Sequence, residues 1–522
     1  MKLPLWPLVA LPLSAALVFP FHQNHLPKDD HSITIDDENI DSDLINGITT
    51  TLATALDLLT TDIWPTIVDN SFNYRSSDGL HHYAQQVSEL APPFRHPSPP
   101  PYLRHPASNK TLYDLILSDP DTSLLAHFIR NDPHLTHLLN NTSANLTFFA
   151  PTDAAIHRLH HHHHHHHHGH NTNNNEDAHD RIRHILTYHT VKGFYPIDKL
   201  FHSPTIPTHI PTEHNSNSLP QRITVRPIIT RNIMLNFHSR VISLDKHASN
   251  GVLYHIDSVL LPPPSTLTLL DIIPLEFSTF TLALYKTGLD RVLNTSITSK
   301  NRNLQSPNLQ DNDIRQTQLP KSSPHKEKEK KGGGGGLTLF LPTNSAFSAT
   351  FTPQALAFLF SPEGSTYLSA IIKYHFVVGE TLYSDTLYTK HGDIVPLPSR
   401  DVSHLELGSL LHGVRSHPSY DGSDEGKAET LFIDAKRHGA YPFLRVNGYQ
   451  SIKTMDLLSV EGNMHVLNER VLVPPKRVGD GEKYAVDARE REDGYLMGVE
   501  EVRERLGGFL VGDDNYASRG GL

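Results

Sequence analysis

The chain is 522 residues long, 37% hydrophobic and 19% charged, with a formal charge of −11 and no cysteine. This composition excludes a fibre and a wholly disordered chain, and the acidity excludes the basic surface that nucleic acid requires. The missing sulfur excludes disulfides, thiolate chemistry and cysteine-held zinc.

Length predicts about three or four domains, each large enough to bury its own core. The 38 histidines make the net charge conditional: protonating 12 of them carries the sum from −11 to +1. An acidic compartment would therefore reverse the sign of the chain, since free imidazole titrates near pH 6.5.

Lys2 followed by an apolar run from Leu3 to Phe19, with Ser14, Ala15 and Ala16 near its end, predicts an export signal over residues 1–20. The run is short for a membrane span and is punctuated by Pro4, Pro7 and Pro12, so cleavage before His22 is the expectation. No later segment is apolar enough to span a bilayer, and the mature chain is read as free of one. Residues 21–107 read as an N-terminal helical region and a Pro-rich linker. Ile40, Leu44, Ile48, Leu52, Leu56 and Leu59 recur at helical spacing, and Pro92-Pro93, Pro97 and Pro99-Pro100-Pro101 follow.

From there a pattern occurs twice in one order. Thr111-Leu112-Tyr113-Asp114-Leu115-Ile116 opens the first copy and Thr268-Leu269-Leu270-Asp271-Ile272-Ile273 the second, each predicting a short capped helix. Phe148-Phe149-Ala150 predicts a strand that ends at Pro151, where Thr152 or Asp153 caps the next helix; Leu339-Phe340-Leu341 before Pro342-Thr343 repeats it. Tyr188-His189 and Tyr374-His375 follow. Asn250-Gly251 predicts a turn between β-rich runs at 241–244 and 252–261, ahead of Asp257 and Pro262-Pro263. Alternation sends Val252, Tyr254 and Ile256 to one face and Leu253, His255 and Asp257 to the other. The matching segment of the second copy runs from Gly462 through His465 to Pro474-Pro475.

Polar inserts interrupt the copies. Nine histidines, His160 to His168, support weak metal-ion binding through residues such as His160, His164 and His168, but lack the fixed geometry of a dedicated site. In the second copy, residues 295–336 end in a lysine–glutamate run and five glycines, and about 391–440 reads as a further insert. Asn109, Asn140, Asn141, Asn145 and Asn294 each begin a glycosylation triplet, in agreement with export.

The doubled landmark set resembles the fasciclin-like (fasciclin I type) domain family of extracellular adhesion proteins, and the inserts and short leader are similar to those of filamentous fungi. The resemblance covers residues 108–264 and 265–476, leaving 477–522 as a charged tail with a predicted helix near Val499 to Leu510. It implies an α+β fold: two tandem fasciclin-like domains, each a twisted β-sandwich or wedge with helices packed along one edge, plus low-complexity loops.

It further implies a non-enzymatic secreted or cell-surface glycoprotein that contacts a protein or polysaccharide ligand, needs no cofactor, and allows weak self-association. A factor of the vacuole lumen, assisting membrane or cargo handling at acidic pH, is the alternative. The family associates the neighbourhood of Tyr188-His189 and Tyr374-His375 with adhesion. The residues themselves offer another reading, in which each histidine is a buried hydrogen-bond anchor and each tyrosine packs a core.

Three departures from the family pattern stand out. His255 is displaced by one residue and should face the opposite way to the family's histidine. The second copy has one extra residue before its Pro-Pro, read as a bulge, and Glu461 stands where the turn asparagine belongs. No nucleophile elbow, zinc-protease motif, phosphate loop or dinucleotide fingerprint occurs, so an enzyme, such as a hydrolase, is the remote reading.

Overall fold

The computed structural model describes residues 108–164, 175–211, 219–227, 233–243, 246–272, 274–293, 336–398, 401–412, 428–438, 441–467, 469–475 and 494–510, together with Thr49. The expected leader, Pro-rich linker and most of the N-terminal helix lie outside these residues. So do Asn294, His168 and nearly all of the 295–336 insert.

The first repeat opens with three short helices whose ends are set by side-chain caps. These are α1 (Leu112–Leu117), α2 (Ser123–Arg130) and α3 (Pro133–Asn140). Thr111 Oγ1 accepts the Asp114 N–H while the Asp114 carboxylate accepts the Thr111 N–H, a reciprocal capping box. Asp132 accepts the N–H groups of His134 and Leu135, with Pro133 at the first helical position.

Strands β1 (Leu146–Pro151), β2 (Thr190–Lys192), β3 (Thr205–Pro211), β4 (Pro220–Pro227), β5 (Ile233–Leu235), β6 (Ser239–Arg240), β7 (Lys246–Ala248) and β8 (Gly251–Ile256) follow. Helices α4 (Asp153–His164), α5 (Asn175–Tyr188) and α6 (Ile197–Phe201) are interleaved with them. The sheet order is β6-β5-β4-β3-β2-β1-β8-β7. All six residues of β1 are buried, as expected of a central strand covered on both faces.

The second repeat is built from α7 (Thr266–Ile272), α8 (Pro274–Thr287), α9 (Asn344–Thr350), α10 (Pro353–Leu359) and α11 (Ser365–Tyr374). Its strands are β9 (Gly336–Pro342), β10 (Phe376–Gly379), β11 (Thr381–Leu382), β12 (Thr386–Tyr388), β13 (Ile394–Pro396), β14 (Ser403–His412), β15 (Ala428–His438), β16 (Tyr441–Val446), β17 (Gln450–Leu458) and β18 (Gly462–Leu467). The main sheet runs β10-β9-β18-β17-β16-β15-β14, and β11-β12-β13 form a small separate sheet.

The duplication is visible strand by strand. β1 runs parallel to β8 and antiparallel to β2; β9 runs parallel to β18 and antiparallel to β10. Leu146 pairs with Gly251 and Leu337 with Gly462, so Phe149 meets Tyr254 where Phe340 meets His465. Glycine is required at both starting points: a Cβ would lie 2.2 Å from the Leu146 carbonyl oxygen at Gly251 and 2.0 Å from the Leu337 oxygen at Gly462. Val252, Tyr254 and Ile256 enter the core with Phe149, Ile223 and Val225. The expected α+β tandem is thus observed.

Several boundaries differ from the sequence reading. The segment taken as an insert at about 391–440 supplies β14 and β15, the counterparts of β3 and β4, because each forms ladder pairs with its neighbour and buries alternate residues. The expected bulge before Pro474 is absent from the β9–β18 ladder, which pairs without interruption from Gly462 to Leu467; the extra residue falls after it. Of the run at 241–244, the described residues 241–243 contribute a bridge from Val241 to Ile256, and the hairpin partner of β8 is β7. β8 also stops at Ile256, five residues short of the predicted end at Leu261.

The charged tail carries the expected helix, α12 (Val499–Leu506), and it is integrated with the second repeat. Met497 bridges Phe351, Val502 and Leu506 are buried, and the Arg503 guanidinium lies 4.7 Å from the Phe358 ring centroid.

Candidate functional site

α5 and α11 each end on the tyrosine of a Tyr-His pair, which places each histidine one residue past a helix C-terminus, among carbonyls without helical partners. His189 Nδ1 lies 2.8 Å from the Ile185 oxygen, and the Leu260 N–H donates to His189 Nε2 at 3.0 Å. His375 repeats this with the Ile371 oxygen at 2.8 Å and the Leu472 N–H at 3.0 Å. A carbonyl on one nitrogen and an N–H on the other define a neutral ring protonated at Nδ1. Burial holds both imidazoles neutral, lowering each pKa from 6.5 to about 4.

The tyrosines are equally enclosed. Tyr188 OH donates to the Arg222 carbonyl at 2.9 Å and accepts from Asn236 Nδ2 at 2.9 Å. Tyr374 OH donates to the Thr430 carbonyl at 3.3 Å and accepts from Asn447 Nδ2 at 3.1 Å. Burial raises both phenol pKa values. All four side chains are fully buried, so none reaches a surface where a partner could touch it.

Asn236 and Asn447 were missed in the sequence. Their φ values of 46° and 51° place them in the left-handed region that asparagine tolerates. Their Oδ1 atoms accept the Thr224 and Phe432 N–H groups at 3.0 and 3.1 Å. The available signal was spacing: each precedes its glycine landmark, Gly251 or Gly462, by 15 positions.

The signature residues around Pro151 and Pro342 are caps. Thr152 Oγ1 accepts the Ala155 N–H and Thr343 Oγ1 the Ala346 N–H, both at 3.3 Å. The Asp153 carboxylate accepts the Ser123 N–H at 3.1 Å, the Ser123 hydroxyl at 2.6 Å and the Leu124 N–H at 3.0 Å, so it caps α2 from another helix. Asn344, its counterpart, bonds Ser278 and Thr279. Asn250 accepts the Leu112 N–H at 2.8 Å and donates to the Leu139 and Asn141 carbonyls. Glu461 takes over that duty in the second repeat by accepting the Thr266 N–H at 2.8 Å. Asp257 accepts the Arg240 N–H at 2.8 Å.

The displaced histidine follows the register. His465 Nε2 lies 3.0 Å from the Leu382 oxygen, with its ring stacked on Phe340 at 5.8 Å. Tyr254 occupies that position in the first repeat, stacked on Phe149 at 5.7 Å. His255 faces the other way and meets Asp119 at 3.0 Å. Asn109, Asn140, Asn141 and Asn145 are exposed. His160 and His164 fall on α4, and no cluster of three His, Asp or Glu side chains able to hold a metal occurs among the described residues.

A buried polar cluster lies between the repeats. Arg222 on β4 donates from Nη1 to Tyr388 OH at 2.7 Å, from Nη2 to Asp385 at 3.3 Å, and from Nε to Thr205 Oγ1 at 2.6 Å. Burial would lower the guanidinium's pKa, but Asp385 and Tyr388 hold it above its ordinary value. Arg226 donates to the Met455 carbonyl at 2.8 Å and to Asp456 at 3.2 Å. Leu219, Tyr383, Tyr388 and Leu458 form an apolar cluster shared by both repeats.

The repeated β-α architecture, the doubled Tyr-His anchors and the capped Pro-Thr turns define a tandem of like domains. The fasciclin domain model matches residues 120–262 and 314–474, and the chain belongs to that family. It is similar to the Aurofusarin biosynthesis cluster protein S of Gibberella zeae, at 24% identity over 397 residues, covering 73% of this chain and 82% of that protein. A FAS1 domain pair from the insect cell adhesion molecule Fasciclin I matches at 17% identity and a TM-score of 0.27, covering 66% of this chain and 95% of that chain. No helix among the described residues is long and apolar enough to cross a membrane.

Proposed function

We infer that this chain is a non-enzymatic, secreted or cell-surface glycoprotein that mediates adhesion or contact with a matrix protein or polysaccharide. The observation that carries this reading is family membership across both repeats, since fasciclin domains are linked to adhesion. The shared signature side chains are committed to the interior as caps and anchors, so contact falls to the outward-facing strands and loops. Tyr188, His189, Tyr374 and His375 serve that surface from behind, by holding β4 and β15 against the helix ends. The exposed acceptor asparagines of the first repeat suit export through a glycosylating compartment.

The test is fractionation of the tagged full-length chain from its host, with mass analysis of the acceptor asparagines and a surface-attachment assay. Recovery from the medium or cell surface with glycan at Asn109 or Asn145, and loss of attachment on deletion, are the expected results. Recovery from the cytosol alone with unmodified asparagines overturns the reading.

The fungal relative favours a second reading. Its name assigns it to a biosynthesis cluster, and the similarity extends over 73% of this chain. In that case the tandem is a non-catalytic binding partner of biosynthetic enzymes. Co-purification of such enzymes with the tagged chain, combined with unaltered attachment on deletion, selects this reading over the first.

A further inference from the structure

On β4, alternation places Arg222, Thr224 and Arg226 on one face, which in this chain is the face turned to the second repeat. The same positions can be located in the second repeat without sequence similarity. Tyr188 OH marks the Arg222 carbonyl as Tyr374 OH marks that of Thr430, and Asn236 accepts from Thr224 as Asn447 accepts from Phe432. The counterparts of Arg222 and Arg226 are therefore Thr430 and Asp434, neither of them cationic. The receiving side is as one-sided. Asp385 comes from the turn between β11 and β12, in a small sheet that the first repeat replaces with α6. Asp456, at a φ of 60°, is clamped by Ser384 and Asn463 and is fully buried.

We propose that this face is a one-order lock: the arginine strand of the first repeat recognises the aspartate-bearing surface of the second, and the tandem behaves as a single rigid body. Both Arg222 and Asp385 are nearly closed to solvent, at 8% and 10% exposure. A charge at such a site is tolerated only with its partner in place, so removing either side chain while the repeats stay docked leaves the other buried and uncompensated. Thr205 completes the circuit, accepting from Arg222 Nε and donating to Asp385 Oδ1 at 2.5 Å. The connection between the repeats is pinned to the same side, with the Pro264 carbonyl accepting the Val460 N–H at 3.0 Å. Because β15 carries Thr430 and Asp434 at the two matching positions, with its Arg437 instead reaching the His202 carbonyl of the first repeat, one chain's second repeat cannot offer this face to the next chain, and the contact does not propagate into a head-to-tail filament. Whatever the two repeats bind, they bind at a fixed spacing.

The absence of native cysteine permits spin labels at two chosen positions, the exposed His137→Cys on α3 and Glu406→Cys on β14 of the full chain. The labelled chain should give one narrow distance distribution and one calorimetric transition. Arg222→Met with Arg226→Met should broaden the distribution and split the transition in two, while circular dichroism at low temperature stays that of the folded chain. Asp385→Asn, which leaves β4 unaltered, should broaden the distribution as well and covers the case in which the methionine variant fails to fold. A narrow, unshifted distribution in Asp385→Asn or in a folded methionine variant overturns the proposal, as does a wild-type chain that already melts in two independent steps.

Discussion

Acidifying the solution from pH 8 to pH 5 should remove about 4 kcal/mol of folding stability through His189 and His375 alone. Each ring is neutral and buried in the folded chain, with its pKa lowered from 6.5 to about 4, and titrates at the ordinary value once unfolded. Between those limits the unfolded state binds more protons, so stability is fully present above pH 6.5 and is lost as pH falls toward 4. At pH 5 the unfolded ring is almost wholly charged and the folded ring about one-tenth charged, a difference of roughly 1.5 pH units or about 2 kcal/mol per histidine. Below pH 4 the loss levels off near 3 kcal/mol each.

The physical event is proton uptake at Nε2, which destroys the acceptor for the Leu260 or Leu472 N–H and leaves a charge without a partner. Burial lowers His238 and His465 as well, and they act in the same sense; Asp153 and Glu380, raised by burial, oppose it. Against a typical total of 5–15 kcal/mol, the loss is large. Urea unfolding followed by circular dichroism at half-unit pH intervals measures it, with His189→Gln/His375→Gln as the comparison. That double variant should be weaker at pH 8 but lose much less on acidification. Equal pH slopes for the two proteins would falsify the reasoning. A chain working in an acidic lumen would work with correspondingly little reserve.

Two further outcomes follow from the same geometry. Tyr188→Phe removes the hydroxyl that joins the Arg222 carbonyl to Asn236 and should lower the urea-derived stability by about 1–3 kcal/mol, because Asn236 Nδ2 is left buried without an acceptor. Asn236→Ala should cost a similar amount, and the double variant less than the sum, since both disrupt one network. Gly462→Ala drives a methyl toward the Leu337 oxygen at 2.0 Å and should destabilise by about 1–3 kcal/mol, whereas alanine at the exposed Gly508 should leave the unfolding midpoint unchanged.

The duplication, the strand through Phe148-Phe149-Ala150, the strand that follows Gly251 and the caps at Thr111, Thr152 and Thr343 were legible in the residue order, because each depends on chain neighbours a few positions apart; that the two strands pair in parallel was not. Periodicity, turn chemistry and helix capping are local physics. The displacement of His255 was legible for the same reason, since a strand's faces alternate residue by residue. What the sequence could not assign was which polar residues meet water. Tyr188 and His189 suit a binding surface as well as a core until Leu260 and Asn236 supply the partners that let them be buried. The strands at 403–412 and 428–438 read as an insert because their charged outer faces dilute the apolar pattern, and only their pairing with each other, and of the second with β16, reveals them as sheet. The joint was invisible for the most basic reason: Arg222 and Asp385 are 163 positions apart, and an arginine on a strand carries no mark of the carboxylate it will meet. Local chemistry determined the elements and their doubling; burial and long-range pairing, which exist only once the chain has closed on itself, decided what each side chain does.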